Sequence, residues 1–189
     1  KNNLQIISGL LDLQNINIDN KEVKVLLKEG QNRIQSVALV HKMMYQSEAV
    51  SKVNMQSYLE ELLLVLESSY RDNLKDISIS ISAKNIDFNV TTAVPVSLIV
   101  NEAVCNAYKH AFINQKSGTI DIVLIRLTND SYELTVKDNG TGLDKDFDLM
   151  KINSIGFDLI NGLSRQLKGQ LSILNSKGTS VKVTFKGNN

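Results

Sequence analysis

Between Val23 and Met44 the positions Val23, Leu27, Gly30, Ile34, Val37, His41 and Met44 are spaced alternately by four and three residues. That 3.5-residue repeat draws one narrow stripe along a helix, and such a stripe needs a partner. Upstream, Leu4, Ile7 and Leu11 recur at helical spacing, with Ile6, Leu10 and Leu13 widening the face. Asn15 to Asn20 is rich in Asn and Asp and reads as a loop. Two helices joined this closely form a hairpin that cannot bury its own faces. The sequence therefore predicts either a second copy, completing a four-helix bundle, or packing against the rest of the same chain. No capping residue precedes Leu4, so Lys1 reads as a cut through a longer helix.

The 189 residues suffice for one domain plus a small attachment. Their 21 basic and 20 acidic side chains leave a formal charge of +1, which argues against nucleic-acid binding driven by counterion release. The single cysteine, Cys105, excludes an internal disulfide or a cysteine-cluster metal site and reads as a packing residue in a helix. The longest apolar stretches, Leu62 to Leu66 and Ala93 to Val100, are far short of a membrane span. No signal-peptide pattern opens the chain, so the expectation is a soluble protein in a reducing compartment.

Beyond a polar junction at Ser47 to Asn54, Met55 to Tyr70 is again helical. Ile77, Ile79 and Ile81 alternate with Ser78, Ser80 and Ser82, predicting a half-buried strand, with Ile86 to Val90 as its returning partner. Pro95 fits the first turn of a helix running from about Val96 to Ala111. Ile120 to Leu127 and Tyr132 to Lys137 read as a hairpin turning at Asn129-Asp130. Phe157 to Leu167 is helical with Gly169 as its stop signal, and a last hairpin turns at Lys177-Gly178. Without a strict βαβ rhythm, the fold class expected is α+β.

Two segments could carry chemistry. On the helix ending at Ala111, Glu102, Asn106, Lys109 and His110 fall within roughly 100° of arc. Val100, Ala103, Val104, Ala107 and Ala111 take the opposite side. Taken alone, the polar ridge also reads as an ordinary solvated face. The second segment is Val136-Lys137-Asp138-Asn139-Gly140-Thr141-Gly142, an acidic residue leaving a strand into a glycine-punctuated turn. A buried carboxylate there could accept a hydrogen bond from the exocyclic amine of adenine, and the glycines would let a base approach the backbone. It is also common turn chemistry. Gly156 opens the next helix, whose N-terminal N–H groups favour phosphate.

Taken together, these residues resemble the ATP-binding catalytic domains of the gyrase, Hsp90, histidine kinase and MutL group. More narrowly they resemble two-component sensor histidine kinases whose dimerisation helix carries Lys-Asn-Asn-Leu-Gln, here Lys1 to Gln5, continued by His41 to Gln46 and Tyr58 to Leu62. The resemblance covers essentially the whole chain. It implies a dimerisation hairpin over residues 1–50, then over 51–189 an ATP-binding α/β sandwich with a mixed sheet and helices on one face. Asn106 would ligate Mg²⁺ at the phosphates, and Glu102 would take the acid/base or metal-organising position. Lys109 and His110 would neutralise phosphate. Asp138 would fix adenine, Gly140 and Gly142 would shape its pocket, and Thr179 would support Asp138 through a hydroxyl or a water. Leu143 to Ser154 would form a lid, with Lys145 and Lys151 as phosphate contacts.

In that subgroup the phosphoacceptor histidine lies a few residues before the Lys-Asn-Asn-Leu-Gln string, so here it would precede Lys1. His41 is on the hydrophobic stripe and reads as a packing residue. The chain is therefore expected to bind ATP without phosphorylating itself. Ser154 stands where related kinases often have glycine, which bears on lid geometry. The implied function is a cytoplasmic kinase core that dimerises and relays phosphate to a response regulator, with membrane attachment only through an upstream sensor. Two other readings are a nucleotide-responsive dimeric scaffold and an ATP-hydrolysing clamp of the same fold group.

Overall fold

The computed structural model describes residues 2–16, 18–46, 52–70, 76–113, 115–128, 130–143, 155–175 and 177–187. Helices α1 (Asn2–Ile16) and α2 (Lys21–Gln46) form the hairpin. After them come β1 (Lys52–Asn54), α3 (Met55–Tyr70), β2 (Asp76–Ser82), β3 (Asp87–Asn89) and α4 (Val90–Asn106). One wide π turn, Ala107–Ala111, prolongs α4. The chain ends with β4 (Ser117–Thr128), β5 (Ser131–Asp138), α5 (Ile155–Gln166), β6 (Gln170–Asn175) and β7 (Thr179–Lys186). The domain boundary expected at residue 50 lies outside the described residues.

Three helices start on an asparagine whose side-chain oxygen accepts otherwise unpaired N–H groups. Asn20 takes those of Glu22 and Val23, Asn54 that of Ser57, and Asn89 that of Thr92. The Asn89 cap explains why α4 begins at Val90 rather than Val96. Pro95 therefore lies inside the helix instead of in its first turn, a correction to the sequence expectation. At the far end of α5 the left-handed residue is Lys168 (φ 52°), followed by Gly169 N–H to Ser164 O at 2.8 Å. Gly169 serves close approach instead, since a Cβ there would come 2.7 Å from Thr184 O.

The main sheet has the order β2-β4-β5-β7-β6 and is mixed: β2 runs parallel to β4, and every other pair is antiparallel. The expected return of Ile86 to Val90 alongside β2 is wrong. β3 instead pairs with β1 in a separate two-stranded ribbon, Val53 opposite Phe88. Period-two patterning reveals which face a strand buries and not which neighbour it takes. Helices α3, α4 and α5 cover one face of the sheet, and Ser78, Ser80 and Asp121 on the other are exposed. The core lies between these layers, with Tyr58, Leu62 and Leu66 of α3 and Val96, Ile99 and Val100 of α4 against Ile120, Ile122 and Leu124 of β4. Among the described residues, 90–111 is a stretch long and apolar enough to cross a bilayer, but 72% of its apolar window is buried as this core helix.

The hairpin packs against its own chain along a face of α2 that the heptad stripe does not include. Gln31, Asn32, Ser36 and Val40 are buried there. Ile6, Ile7, Leu10 and Leu13 of α1 and Val23, Val25 and Leu26 of α2 remain exposed.

Candidate functional site

α4 and its π turn, the end of β5, the start of α5 and the start of β7 surround a cavity of about 620 Å³, a size that accommodates a small-molecule ligand. Glu102, Asn106, Lys109, His110, Asp138, Gly142, Gly156 and Thr179 all line it. Residues read as a helix ridge and a turn some thirty positions apart thus share one space. Gly140 lies behind the wall, where a Cβ would strike Ala111 O at 2.2 Å. The glycine is needed to pass beneath the end of the π turn. Lys145, Lys151 and Ser154 lie outside the described residues.

Asp138 is 6% exposed and held through one oxygen. Its Oδ1 accepts the Gly140 N–H at 2.9 Å and the Thr179 N–H at 3.1 Å. Thr179 thus supports Asp138 through its backbone N–H, where the resemblance implied a hydroxyl or a water. Oδ2 receives no hydrogen bond from a described residue. Gly178 makes the approach possible: at φ 106° its Cβ position is 2.0 Å from Asp138 O, so another residue would collide there. Asn175, which the sequence did not single out, clasps both backbone groups of Leu143. It accepts from Leu143 N–H at 3.0 Å and donates to Leu143 O at 2.6 Å.

At the other end the expected solvated ridge is partly internal. Glu102 is only 4% exposed. A buried carboxylate needs partners, and it finds Asn101 Nδ2 at 3.0 Å and a two-pronged guanidinium. Arg33 Nε and Nη2 each lie 2.8 Å from a different Glu102 oxygen. That contact is the main reason the Arg33 pKa is raised. Lys109 donates to the Glu29 carboxylate, which also lies 3.8 Å from Arg33 Nη2. Arg33 and Glu29 both come from α2, and their i,i+4 spacing was the only trace of them in the sequence. Burial and then Lys109 lower the His110 pKa. Cys105 is a packing residue as expected: burial pushes its thiol up to about 11.

Gly156 brings the start of α5 against this end. A Cβ there would lie 3.1 Å from Glu102 Oε2 and 3.6 Å from the Asn106 amide. Unpaired N–H groups at a helix start attract anions, so phosphate-like charge suits the space between α5, Lys109 and His110. For a cation the donors are the Asn106 amide oxygen and, were Arg33 to release it, the Glu102 carboxylate. Among the described residues no group of three or more His, Cys, Asp or Glu could hold a metal. That donor set fits Mg²⁺, which takes one or two protein oxygens and completes its shell with phosphates and water.

Two family models match the chain: "Histidine kinase" over residues 1–70 and "Histidine kinase-, DNA gyrase B-, and HSP90-like ATPase" over residues 91–189. The sensor histidine kinase PdtaS of Mycobacterium tuberculosis is 29% identical over 98% of the chain. Blue-light-activated histidine kinase 2 of Erythrobacter litoralis is 28% identical over 57% of it. The chain spans about a third of the length of these relatives, 37% and 31%. In fold it is similar to the histidine kinase domain of the Erythrobacter litoralis EL346 kinase, with a TM-score of 0.73, 18% identity and coverage of 96% of this chain and 95% of that one.

Proposed function

Because the chain belongs to the histidine kinase-, DNA gyrase B- and HSP90-like ATPase family, we propose that it is the core of a sensor histidine kinase that binds Mg-ATP and delivers its γ-phosphoryl group to a histidine. That histidine would precede Lys1. The observation carrying the proposal is the single cavity with Asp138 at one end and Glu102, Asn106 and Lys109 at the other.

On this reading the free oxygen of Asp138 accepts the adenine amine, while Gly142 shapes the turn beside it, where a Cβ would strike the Asn175 side-chain oxygen. Lys109, His110 and the start of α5 hold the phosphate chain. Asn106 is the ready oxygen ligand for Mg²⁺, with Glu102 available once its guanidinium partner withdraws. The bound ion supplies charge neutralisation at the phosphates. An imidazole nitrogen then attacks γ-phosphorus in line, the bond to the bridging oxygen breaks, ADP departs and the imidazole gives up its N–H proton. The phosphoryl group passes on to an aspartate of a response regulator. Residues 1–50 serve as the dimerisation hairpin of a homodimer, a role supported by the exposed Ile6, Ile7, Leu10 and Leu13. The setting is cytoplasmic, with membrane attachment only through an upstream sensor region.

The test extends the chain upstream to include the acceptor helix and supplies γ-labelled ATP. Acid-labile, base-stable incorporation at one histidine is expected. ATP binding without incorporation would instead favour a nucleotide-responsive scaffold. The engagement of Glu102 and Lys109 by α2 lends that second reading its one specific support.

A further inference from the structure

Helix α2 does more at the cavity than pack. It contributes Leu26 and Glu29 to the wall and sends a cation and an anion to two charged groups that line the cavity. The Arg33 guanidinium covers both oxygens of Glu102. The Glu29 carboxylate covers the Lys109 ammonium. These are the groups that, on the reading proposed above, face a divalent cation and a phosphate. Arg33 and Glu29, 3.8 Å apart, present the same signs in the same order.

The part of the α2 seam nearest the cavity is also unlike the core: its buried residues Asn32 and Ser36 are polar, whereas farther along α2 Val40 joins the core with Leu39, Met43 and Met44 against it. Ser36 Oγ lies 3.3 Å from Asn101 Oδ1, Tyr58 OH donates to Ser36 O at 3.1 Å, and Ser69 Oγ donates to Asn32 Oδ1 at 3.1 Å. Asn32 Nδ2 reaches Cys105 Sγ at 3.9 Å. Amides and hydroxyls recover hydrogen bonds from water when such a seam parts, whereas an apolar seam would not. The half of the interface beside the cavity is built to be left.

We infer that α2 carries an electrostatic stand-in for the metal–phosphate pair, so that docking of the hairpin and binding of Mg-nucleotide exclude one another at this end of the cavity. The inference rests on the nucleotide reading. Coupling of this kind is reciprocal: nucleotide drives α2 off the domain, and any strain that presses α2 home expels nucleotide. A sensor acting on the hairpin would thereby set nucleotide affinity without touching the cavity.

The test compares the wild-type chain with Glu29→Gln combined with Arg33→Gln, titrating each with a fluorescent ATP analogue in Mg²⁺ and, separately, with adenosine. The double variant should bind Mg-nucleotide about ten- to a hundredfold more tightly, with adenosine affinity unchanged. Equal or weaker Mg-nucleotide binding overturns the inference, as does an equal gain for adenosine. A second measurement needs no substitution. In the wild-type chain, saturating Mg-nucleotide should speed hydrogen exchange across residues 29–36, and unchanged protection with nucleotide bound overturns the inference alone. If neither folded protein binds any nucleotide, the nucleotide reading falls with it.

Discussion

The two ends of the cavity are held by different means. Asp138 is fixed by two backbone N–H groups and by glycines whose replacement would collide with main chain. Glu102 and Lys109 are fixed by charged side chains from a helix that belongs to the hairpin. Backbone-built geometry is set once, when β5 and β7 pair. Side-chain ion pairs can be exchanged for others of the same sign. One end is therefore suited to constant recognition and the other to a response.

Substitution at the responsive end should have the largest effect. Asn106→Asp puts a second carboxylate beside Glu102 and should weaken Mg-nucleotide binding at least about a hundredfold, roughly 2.7 kcal/mol. Calorimetric titration should show adenosine affinity retained and the melting temperature little changed. Undiminished Mg-nucleotide binding would mean that the metal sits elsewhere. Asp138→Asn should cost about tenfold, for ATP and adenosine alike, because it weakens one hydrogen bond to the base. A loss confined to ATP would reverse the assignment of the two ends.

The smallest expected effect concerns His110, whose pKa lies below its ordinary value of 6.5. Above 6.5 the imidazole is neutral in both folded and unfolded chains and contributes nothing to the pH dependence. As pH falls through 6.5, the unfolded chain takes up a proton first, so stability declines. Thermal melts between pH 7.5 and 5.5, roughly, should show a slight destabilisation that disappears in His110→Gln. If the two chains trace the same curve, partial desolvation and Lys109 do not lower the pKa of this imidazole.

Much of this was legible in the sequence, for physical reasons that differ by region. Helix α3 has the bounds its helical periodicity predicts, and the structure adds the Asn54 cap that sets its start. The ridge and the turn were legible as a pair through the resemblance, since each alone also reads as an ordinary solvated face or turn. The parallel pairing of β2 with β4 was not, since alternation of Ile and Ser records burial and leaves the partner open. Arg33 and Glu29 were not legible either. Opposite charges four apart on a helix are the usual composition of a wet surface, and only the packing of α2 on α4 turns them inward. The backbone contact of Thr179 with Asp138 was not legible, since a strand's first N–H is available whatever side chain it carries.

The π turn at Ala107–Ala111 has a consequence for how this protein tolerates length changes. It accommodates one residue more than regular α winding would, at the point where α4 hands over from core packing to the rim of the cavity. A wide turn takes up such a surplus residue locally, so shortening it by one residue should leave β4 in register beside β2 and change only the rim. There Lys109 and His110 would shift along the cavity wall. The surplus residue thus sets how far these two side chains reach, independently of the sheet.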